Sequence, residues 1–208
     1  MPTATFPLGP LQTNSYIFHN NKTAIAIDVG GEPTPMLEYL KKHNLNLAAI
    51  LITHRHFDHI YGVSALSKET KAKVYTPKGD DCLINDEISK GGTWGFPIVQ
   101  PFESNHLPDN STSFDGIECK ILQTPGHTPG GVSIYFPNEN TLFSGDALFY
   151  RSIGRTDFSS GNQDELLRSI HEILFKLPDE TIVYPGHGPS TTIGDEKKEN
   201  PFCGEHIE

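Results

Sequence analysis

Three histidines and one aspartate lie within six residues of this sequence, in the run His54-Arg55-His56-Phe57-Asp58-His59. The run directly follows the apolar stretch 48–52, which is typical of a buried strand. Burying so many polar groups at a strand end is unfavourable, and a bound metal cation removes that cost. Neutral imidazole and carboxylate are ligands of the kind that zinc prefers. The run therefore predicts a metal site where this strand ends.

Three further ligand candidates come after predicted strands and have glycine beside them, namely His127, Asp146 and His187. With the first run they make seven donor groups: His54, His56, Asp58, His59, His127, Asp146 and His187. One tetrahedral ion cannot use seven ligands. Two ions roughly 3.5–4 Å apart that share one carboxylate need about this many. The inventory therefore predicts two divalent metal ions, zinc first, with iron or manganese as alternatives.

The ligand runs lie at the ends of elements that the hydrophobic pattern predicts. Strands are expected at 15–18, 23–29, 47–53, 73–76, 116–124, 131–136, 141–144 and 181–184, and helices at 35–43, 59–70 and 163–177. Strands that alternate with helices in both halves indicate sheets covered by helices. The less regular segment 77–114, which holds Trp94, is typical of a functional lid.

Length and composition favour a globular protein of one domain or of two small layered halves, and we predict a single domain over residues 1–208. The formal net charge of -10 argues against nucleic acid or an anionic membrane as a partner. The three cysteines, Cys82, Cys119 and Cys203, form no CxxC pair, which favours free thiols in a reduced compartment. The sequence shows neither a signal peptide nor an apolar run long enough to span a bilayer, so we expect a soluble cytoplasmic protein. The oligomeric state stays open.

The pattern HxHxDH, followed by the separate His127, Asp146 and His187, resembles the metallo-β-lactamase superfamily. The resemblance covers nearly the whole chain. Within that superfamily the sequence is most similar to the hydroxyacylglutathione hydrolase (glyoxalase II) branch in its single-domain form. The motifs that carry this similarity are Asp28-Val29-Gly30-Gly31, Thr53, Gly62, Pro125-Gly126-His127-Thr128-Pro129-Gly130, Gly154-Arg155-Thr156-Asp157-Phe158 and Asn200-Pro201-Phe202.

The resemblance implies a four-layer αββα sandwich with the metal site at one edge between the two sheets. It divides the ligands between two ions: His54, His56 and His127 for the first, Asp58, His59 and His187 for the second, and Asp146 as the bridge. Asp58 would also orient the metal-bound hydroxide. The implied activity is attack of that hydroxide on a thioester, with hydroxyacylglutathione (S-lactoylglutathione) as the first expected substrate. The stretch after His187 has room only for a short helix, so no C-terminal glutathione-binding helical domain is expected.

Other polar residues near the ligands have two possible roles. Arg151, Arg155 and Tyr150 are the candidates for substrate binding, and for the two arginines a structural ion pair is the equal alternative. Asp28 is expected to be a hydrogen-bond partner beside the site rather than a ligand. Arg55 is expected at the rim, touching substrate or an acidic neighbour. The histidines outside the pattern are expected at the surface or as caps: His19, His43, His106, His171 and His206.

Two other functions stay open. A persulfide dioxygenase is a related branch with the same ligand set and the same Gly-Arg-Thr-Asp-Phe stretch. By resemblance it would hold one iron with His54, His127 and Asp146. The alternative from another class is a protein that binds metal without catalysing a reaction. Such proteins usually have lost some of the ligands.

Overall fold

The structure, a computed structural model, describes residues 1–93 and 95–204. Trp94 and His206 therefore lie outside the described residues. The chain divides into two compact units, one formed by residues 1–108 and 113–118, the other by 109–112 and the described residues from 119 onward. That residues 1–208 form a single domain stays a prediction.

The strands and helices of residues 1–93 and 95–204 are numbered in chain order. The strands are β1 Thr3–Leu8, β2 Thr13–His19, β3 Thr23–Ile27, β4 Asn46–Leu51, β5 Lys73–Thr76, β6 Asn105–His106, β7 Asn110–Phe114, β8 Ile117–Gln123, β9 Val132–Phe136, β10 Thr141–Gly145, β11 Leu148–Phe149, β12 Ser152–Ile153, β13 Ile182–Pro185 and β14 Thr191–Thr192. The α-helices are α1 Thr34–Lys42, α2 Phe57–Ile60, α3 Val63–Thr70, α4 Glu87–Lys90, α5 Gln163–Glu172 and α6 Ile193–Glu199. Short 3-10 helices cover Lys78–Leu83, Pro137–Glu139 and Leu174–Lys176.

The sheet of the first unit has the strand order β1-β2-β3-β4-β5-β6. Strands β1 to β3 pair antiparallel, and β3 to β6 pair parallel. Helices α1 and α3 cover one face, where Met36, Leu40 and Leu66 share a core cluster with Ile17 and Ile50. Strands β3 and β4 have nearly continuous apolar sequences because both of their faces are largely buried.

The sheet of the second unit has the strand order β14-β13-β10-β9-β8-β7. Strands β10 and β13 pair parallel, while β9 pairs antiparallel with both β8 and β10. Helices α5 and α6 cover one face, where Leu166, Ile170 and Ile193 share a core cluster with Leu142 and Val183. Strands β11 and β12 form a separate two-stranded hairpin.

The prediction of sheets covered by helices is confirmed, with differences at element ends. Strand β5 has the predicted bounds. The helix predicted at 59–70 is interrupted, because the Gly62 amide donates to the Val29 carbonyl oxygen at 2.8 Å instead of continuing α2. Helix α5 ends at Glu172 rather than at 177, and a 3-10 turn over Leu174–Lys176 follows it.

Some elements were not predicted. Strand β1 lies at the edge of its sheet, carries Pro7 and is only partly buried, so it lacks a clear apolar alternation. The segment 77–114 contains α4, two short strands and an isolated bridge between Gly91 and Ile98. Among the described residues, the helices are too short or too polar to cross a membrane.

The apolar stripe of α5 supports a prediction about stability. We expect Ile170→Ala to lower the free energy of unfolding by about 2–5 kcal/mol, because it leaves a cavity under a fully buried side chain. Urea unfolding followed by circular dichroism measures the change. Glu172→Ala, at an exposed position of the same helix, is the control and should stay within about 0.5 kcal/mol. Equal losses in the two variants would contradict the packing of α5.

Candidate metal site

The ligand candidates of the first unit follow β4. His54, His56, Asp58 and His59 are all buried, with at most 7% of any of them exposed. The backbone stays extended to His56 (ψ 144°), and α2 then carries Asp58 and His59. The His54 ring centroid lies 4.6 Å from that of His56 and 4.0 Å from that of His59. The run therefore brings three imidazoles together, as the sequence predicts.

Asp28 orients two of these imidazoles. Its Oδ2 accepts hydrogen bonds from His59 Nδ1 at 2.7 Å and Thr53 Oγ1 at 2.8 Å, and its Oδ1 accepts the Thr53 backbone N–H at 2.8 Å. Because the Thr53 hydroxyl proton points to Asp28, its oxygen accepts from His54 Nδ1 at 3.0 Å. In neutral rings of His54 and His59, Nε2 is then the nitrogen that can bind a metal. The expected supporting role of Asp28 is confirmed.

Asp58 is held by a residue that the sequence analysis missed. The Thr13 hydroxyl, from β2, donates to Asp58 Oδ2 at 2.8 Å, and His59 Nε2 lies 3.7 Å from the same oxygen. Gly30 permits this arrangement, because a Cβ there would collide with the Asp58 carbonyl oxygen. No local pattern marks Thr13, since its partner lies 45 residues away.

The ligand candidates of the second unit come from three strand ends. His127 follows β8, Asp146 follows β10 and His187 follows β13. Asp146 Oδ2 lies 3.5 Å from His127 Nε2 and 3.5 Å from His187 Nε2. These distances exceed a usual hydrogen bond. They are close to the separation of two ligands that each lie about 2.0–2.2 Å from one ion.

His127 is oriented by a backbone group. Its Nδ1 donates to the Arg155 carbonyl oxygen at 2.7 Å, so that Nε2 of the neutral ring is the nitrogen able to ligate. Gly154 lets this loop approach, because a Cβ there would collide with the Asp146 carbonyl oxygen. The residue type of Arg155 points to a role for its side chain and not for its carbonyl group, which has no mark in the sequence.

Arg151 forms the structural ion pair that was the alternative to substrate binding. Glu196, which is fully buried, accepts from the Arg151 backbone N–H and from its Nη1, each at 2.9 Å. Thr191 Oγ1 and Asn200 Nδ2 also donate to Glu196, at 2.6 and 2.7 Å. Four donors thus satisfy one buried carboxylate. A role of Arg151 in substrate binding stays a prediction.

Arg155 and Tyr150 lie at the surface of the second unit. The Arg155 guanidinium donates to both carboxylate oxygens of Asp157 at 2.6 Å, which lowers the pKa of Asp157 and raises the pKa of Arg155. It also lies 4.3 Å from the centroid of the Phe158 ring. Tyr150 is 50% exposed, with the Arg151 guanidinium 5.0 Å from its ring. Substrate binding by either residue stays a prediction.

The remaining histidines differ in environment. The prediction that His19 lies at the surface or caps an element is wrong. His19 is the last residue of β2, which is buried along its whole length. His19 Nε2 lies 2.9 Å from the Tyr39 hydroxyl, and its Nδ1 lies 2.6 Å from the Asn20 carbonyl oxygen. His43, His106 and His171 are exposed, as predicted. Arg55 has the expected acidic neighbour, since Asp81 Oδ1 lies 3.8 Å from its Nη2.

The three cysteines are free thiols, as predicted. Burial raises the pKa of Cys119 and of Cys203 to about 12. Such thiols are inert at neutral pH, because the thiolate is the reactive form.

Two mixed sheets with histidines and aspartates at their strand ends define the class, an α/β metalloprotein. The sequence profile of the metallo-beta-lactamase superfamily matches residues 8–187. The chain belongs to this superfamily, so the family and the fold class expected from the sequence are confirmed. The donor set suits divalent metal ions.

Similar proteins support a hydrolase. The chain is 37% identical to the probable metallo-hydrolase YqgX of Bacillus subtilis (strain 168), over 94% of each protein. It is 34% identical to the hydroxyacylglutathione hydrolase GloC of Haemophilus influenzae, over 94% of this chain and 95% of GloC. We conclude that the chain is a metallo-hydrolase of the superfamily.

Two solved structures are similar over nearly the whole chain. BLEG-1 B3 metallo-beta-lactamase has a TM-score of 0.91 and 40% identity, covering 97% of this chain and 99% of its own. TTHA1623 in a di-iron-bound form has a TM-score of 0.87 and 37% identity, covering 96% and 99%.

The hydrogen bonds of Asp28 lead to a prediction about metal affinity. We expect Asp28→Asn to weaken zinc binding about 10–100-fold, because an amide cannot accept at both positions and the His59 ring loses its orientation. Competition with a chelating indicator measures the affinity. Asp109→Asn, an exposed position in the second unit, is the control and should bind zinc as the parent does. Unchanged affinity in Asp28→Asn would refute the orienting role.

The buried Glu196 leads to a prediction about Arg151. We expect Glu196→Ala to lower the free energy of unfolding by about 2–4 kcal/mol, because four donors lose their acceptor while Arg151 can still reach water. Thermal or urea unfolding checks this, with the exposed Glu199→Ala as the control. If Arg151→Ala raised KM and left stability unchanged, substrate binding rather than the ion pair would be the main role of Arg151.

Proposed function

We propose that this chain is a thioester hydrolase that uses two divalent metal ions, zinc first, with hydroxyacylglutathione such as S-lactoylglutathione as substrate. The observation that carries this proposal is the set of hydrogen bonds that Nδ1 of His54, His59 and His127 donate. These bonds leave Nε2 as the metal-binding nitrogen in each ring. Histidines that bind metals usually donate their other ring N–H to a carboxylate, a backbone carbonyl or water in this way.

We propose that the seven ligands divide as the family resemblance implies. His54, His56 and His127 would hold one ion, Asp58, His59 and His187 the other, and Asp146 would bridge them. The equal distances of 3.5 Å from Asp146 Oδ2 to His127 and to His187 support the bridge, because the two histidines belong to different ions in this division.

The proposed reaction needs a nucleophile that exists at neutral pH and a polarised carbonyl. Two bound divalent ions supply both. Asp58 is the residue we assign to orient the nucleophile. Thr13 fixes one oxygen of Asp58, and α2 fixes its backbone, so that the carboxylate keeps one direction. The buried ligand run keeps bulk water away, which strengthens electrostatic stabilisation of the oxyanion.

The thioester substrate is supported by similarity to GloC, whose name specifies hydroxyacylglutathione. Tyr150, Arg151 and Arg155 are our candidates for contacts with the carboxylates of the thiol. Tyr150 and Arg155 are exposed enough to meet a ligand, and Arg151 is partly exposed despite its ion pair. We place the protein in the cytoplasm, acting on a small molecule.

A persulfide dioxygenase with one iron is the second candidate. TTHA1623, which is 37% identical to this chain, was solved in a di-iron-bound form, and this favours iron as a possible metal here without supporting a single ion. In this case His54, His127 and Asp146 would hold the iron in the two-histidine, one-carboxylate manner. A metal-binding protein without turnover is the third candidate.

One experiment separates these candidates. The purified full chain is analysed for metals and assayed in parallel for S-lactoylglutathione hydrolysis and for oxygen uptake with glutathione persulfide. We expect two metal ions per chain and thioester hydrolysis. We also expect Asp58→Ala to lower kcat about 100-fold or more, because it removes a group that acts on the nucleophile.

Asp109→Ala is the matched control and should keep full activity, since this carboxylate is exposed and belongs to neither ligand group. If the chain held one iron and took up oxygen rapidly, the dioxygenase would be the function and the hydrolase proposal would be wrong. Bound metal with neither activity would indicate the non-catalytic protein.

A further inference from the structure

The first unit contains a pocket apart from the candidate ligands. It is a cavity of about 240 Å³ between α2, α4 and the segment 99–102. None of its lining residues is a candidate metal ligand. Its polar lining includes Arg55, Ser89 and Lys90, and its apolar walls include Ile60, Val99 and Phe102. The cavity therefore combines positive charge with apolar surface in a protein whose net charge is negative.

Arg55 is a buried cation whose side-chain ion pair, with Asp81, is long and lies near the surface. Its side chain is 9% exposed, and its Nη2 donates to two neutral hydroxyls, those of Thr76 at 2.8 Å and Ser104 at 3.1 Å. Asp81 lies 3.8 Å away and is itself 41% exposed. The buried Nε has no hydrogen-bond partner among the described residues.

Ser89 also lines the cavity, and its side chain has no hydrogen-bond partner among the described residues. The residue is 4% exposed, and its Oγ is buried. Its backbone is held in α4, where its N–H donates to the Asp86 carbonyl oxygen at 3.2 Å. The next residue, Lys90, is exposed, and its carbonyl oxygen accepts the Val99 N–H at 2.9 Å. That bond joins the polar side of the cavity to its apolar wall.

We propose that this cavity binds a small carboxylic acid anion with a short apolar chain. The carboxylate supplies the acceptor that Arg55 Nε and Ser89 Oγ lack, the latter after rotation about its Cα–Cβ bond, and Lys90 adds a charge beside them. The chain packs against Ile60, Val99 and Phe102. The volume is below the roughly 300–1,000 Å³ of pockets for drug-sized ligands, which favours a chain of a few carbons. The site does not depend on the proposed hydrolase function.

Titration of the metal-loaded full chain with hexanoate, followed by amide chemical shifts, tests the proposal. We expect saturable shifts at Ser89, Lys90 and Val99, and none with hexanamide, which has the same chain without the charge. Ser89→Ala should weaken hexanoate binding about 10-fold or more, since it removes a hydrogen bond to a charged group. Lys90→Gln should weaken it several-fold and reduce its salt dependence. Lys78→Gln, an exposed lysine outside the cavity, should leave it unchanged.

Several results would overturn the proposal. One such result is that hexanoate shifts only the amide signals of residues next to the candidate metal ligands and binds Ser89→Ala as tightly as the parent. Hexanoate would then bind the metal and not the cavity. Equal binding of hexanamide would remove the role of the charge. Tighter binding of sulfate would make the site one for inorganic anions. Tighter binding of glutathione, whose carboxylates lie on a polar peptide, would make the cavity a thiol subsite and not a site for an apolar acid.

Discussion

The carboxylate of Asp28 is the interaction on which the ligand group of the first unit depends. Asp28 is 2% exposed, and a buried charge is tolerated only when hydrogen bonds replace the lost water. Its three donors come from Thr53 and His59, which belong to the end of β4 and to α2. One group thus joins the end of β3 to the whole ligand run. The left-handed backbone of Asp28 (φ 53°) is a conformation that aspartate tolerates better than most residues.

In the second unit a neutral group, and not a carboxylate, orients the histidine. His127 donates to a backbone carbonyl oxygen, that of Arg155, where His59 donates to a carboxylate. A carboxylate raises the basicity of the imidazole more than a carbonyl does, because it is charged. The two units therefore present histidines of the same tautomer but of different electron-donating strength. The parallel pairing of β10 with β13 places Asp146 and His187 at the same end of neighbouring strands.

Local sequence patterns predicted most of the fold and picked out the candidate ligands that lie close together within each unit. Strand and helix periodicity depends on neighbours in the chain, and so does the spacing of the HxHxDH run. The supporting contacts could not be predicted in this way. Thr13 meets Asp58 across 45 residues and Glu196 meets Arg151 across a similar separation, so both depend on strand register and on packing. Nothing in the residue type of Arg155 indicates that its carbonyl group orients His127.

In the extended run after β4, successive side chains lie in two different chemical environments. The rings of His54 and His56 lie together, while the Arg55 side chain between them reaches Thr76 and Ser104. Side chains alternate in extended backbone, so a residue between two ligands must face away from them. The Arg55 backbone N–H is also held, by Asp80 Oδ2 at 2.9 Å. The Arg55 backbone therefore has a candidate ligand on each side, so the cavity and the candidate metal site share one short segment of the chain.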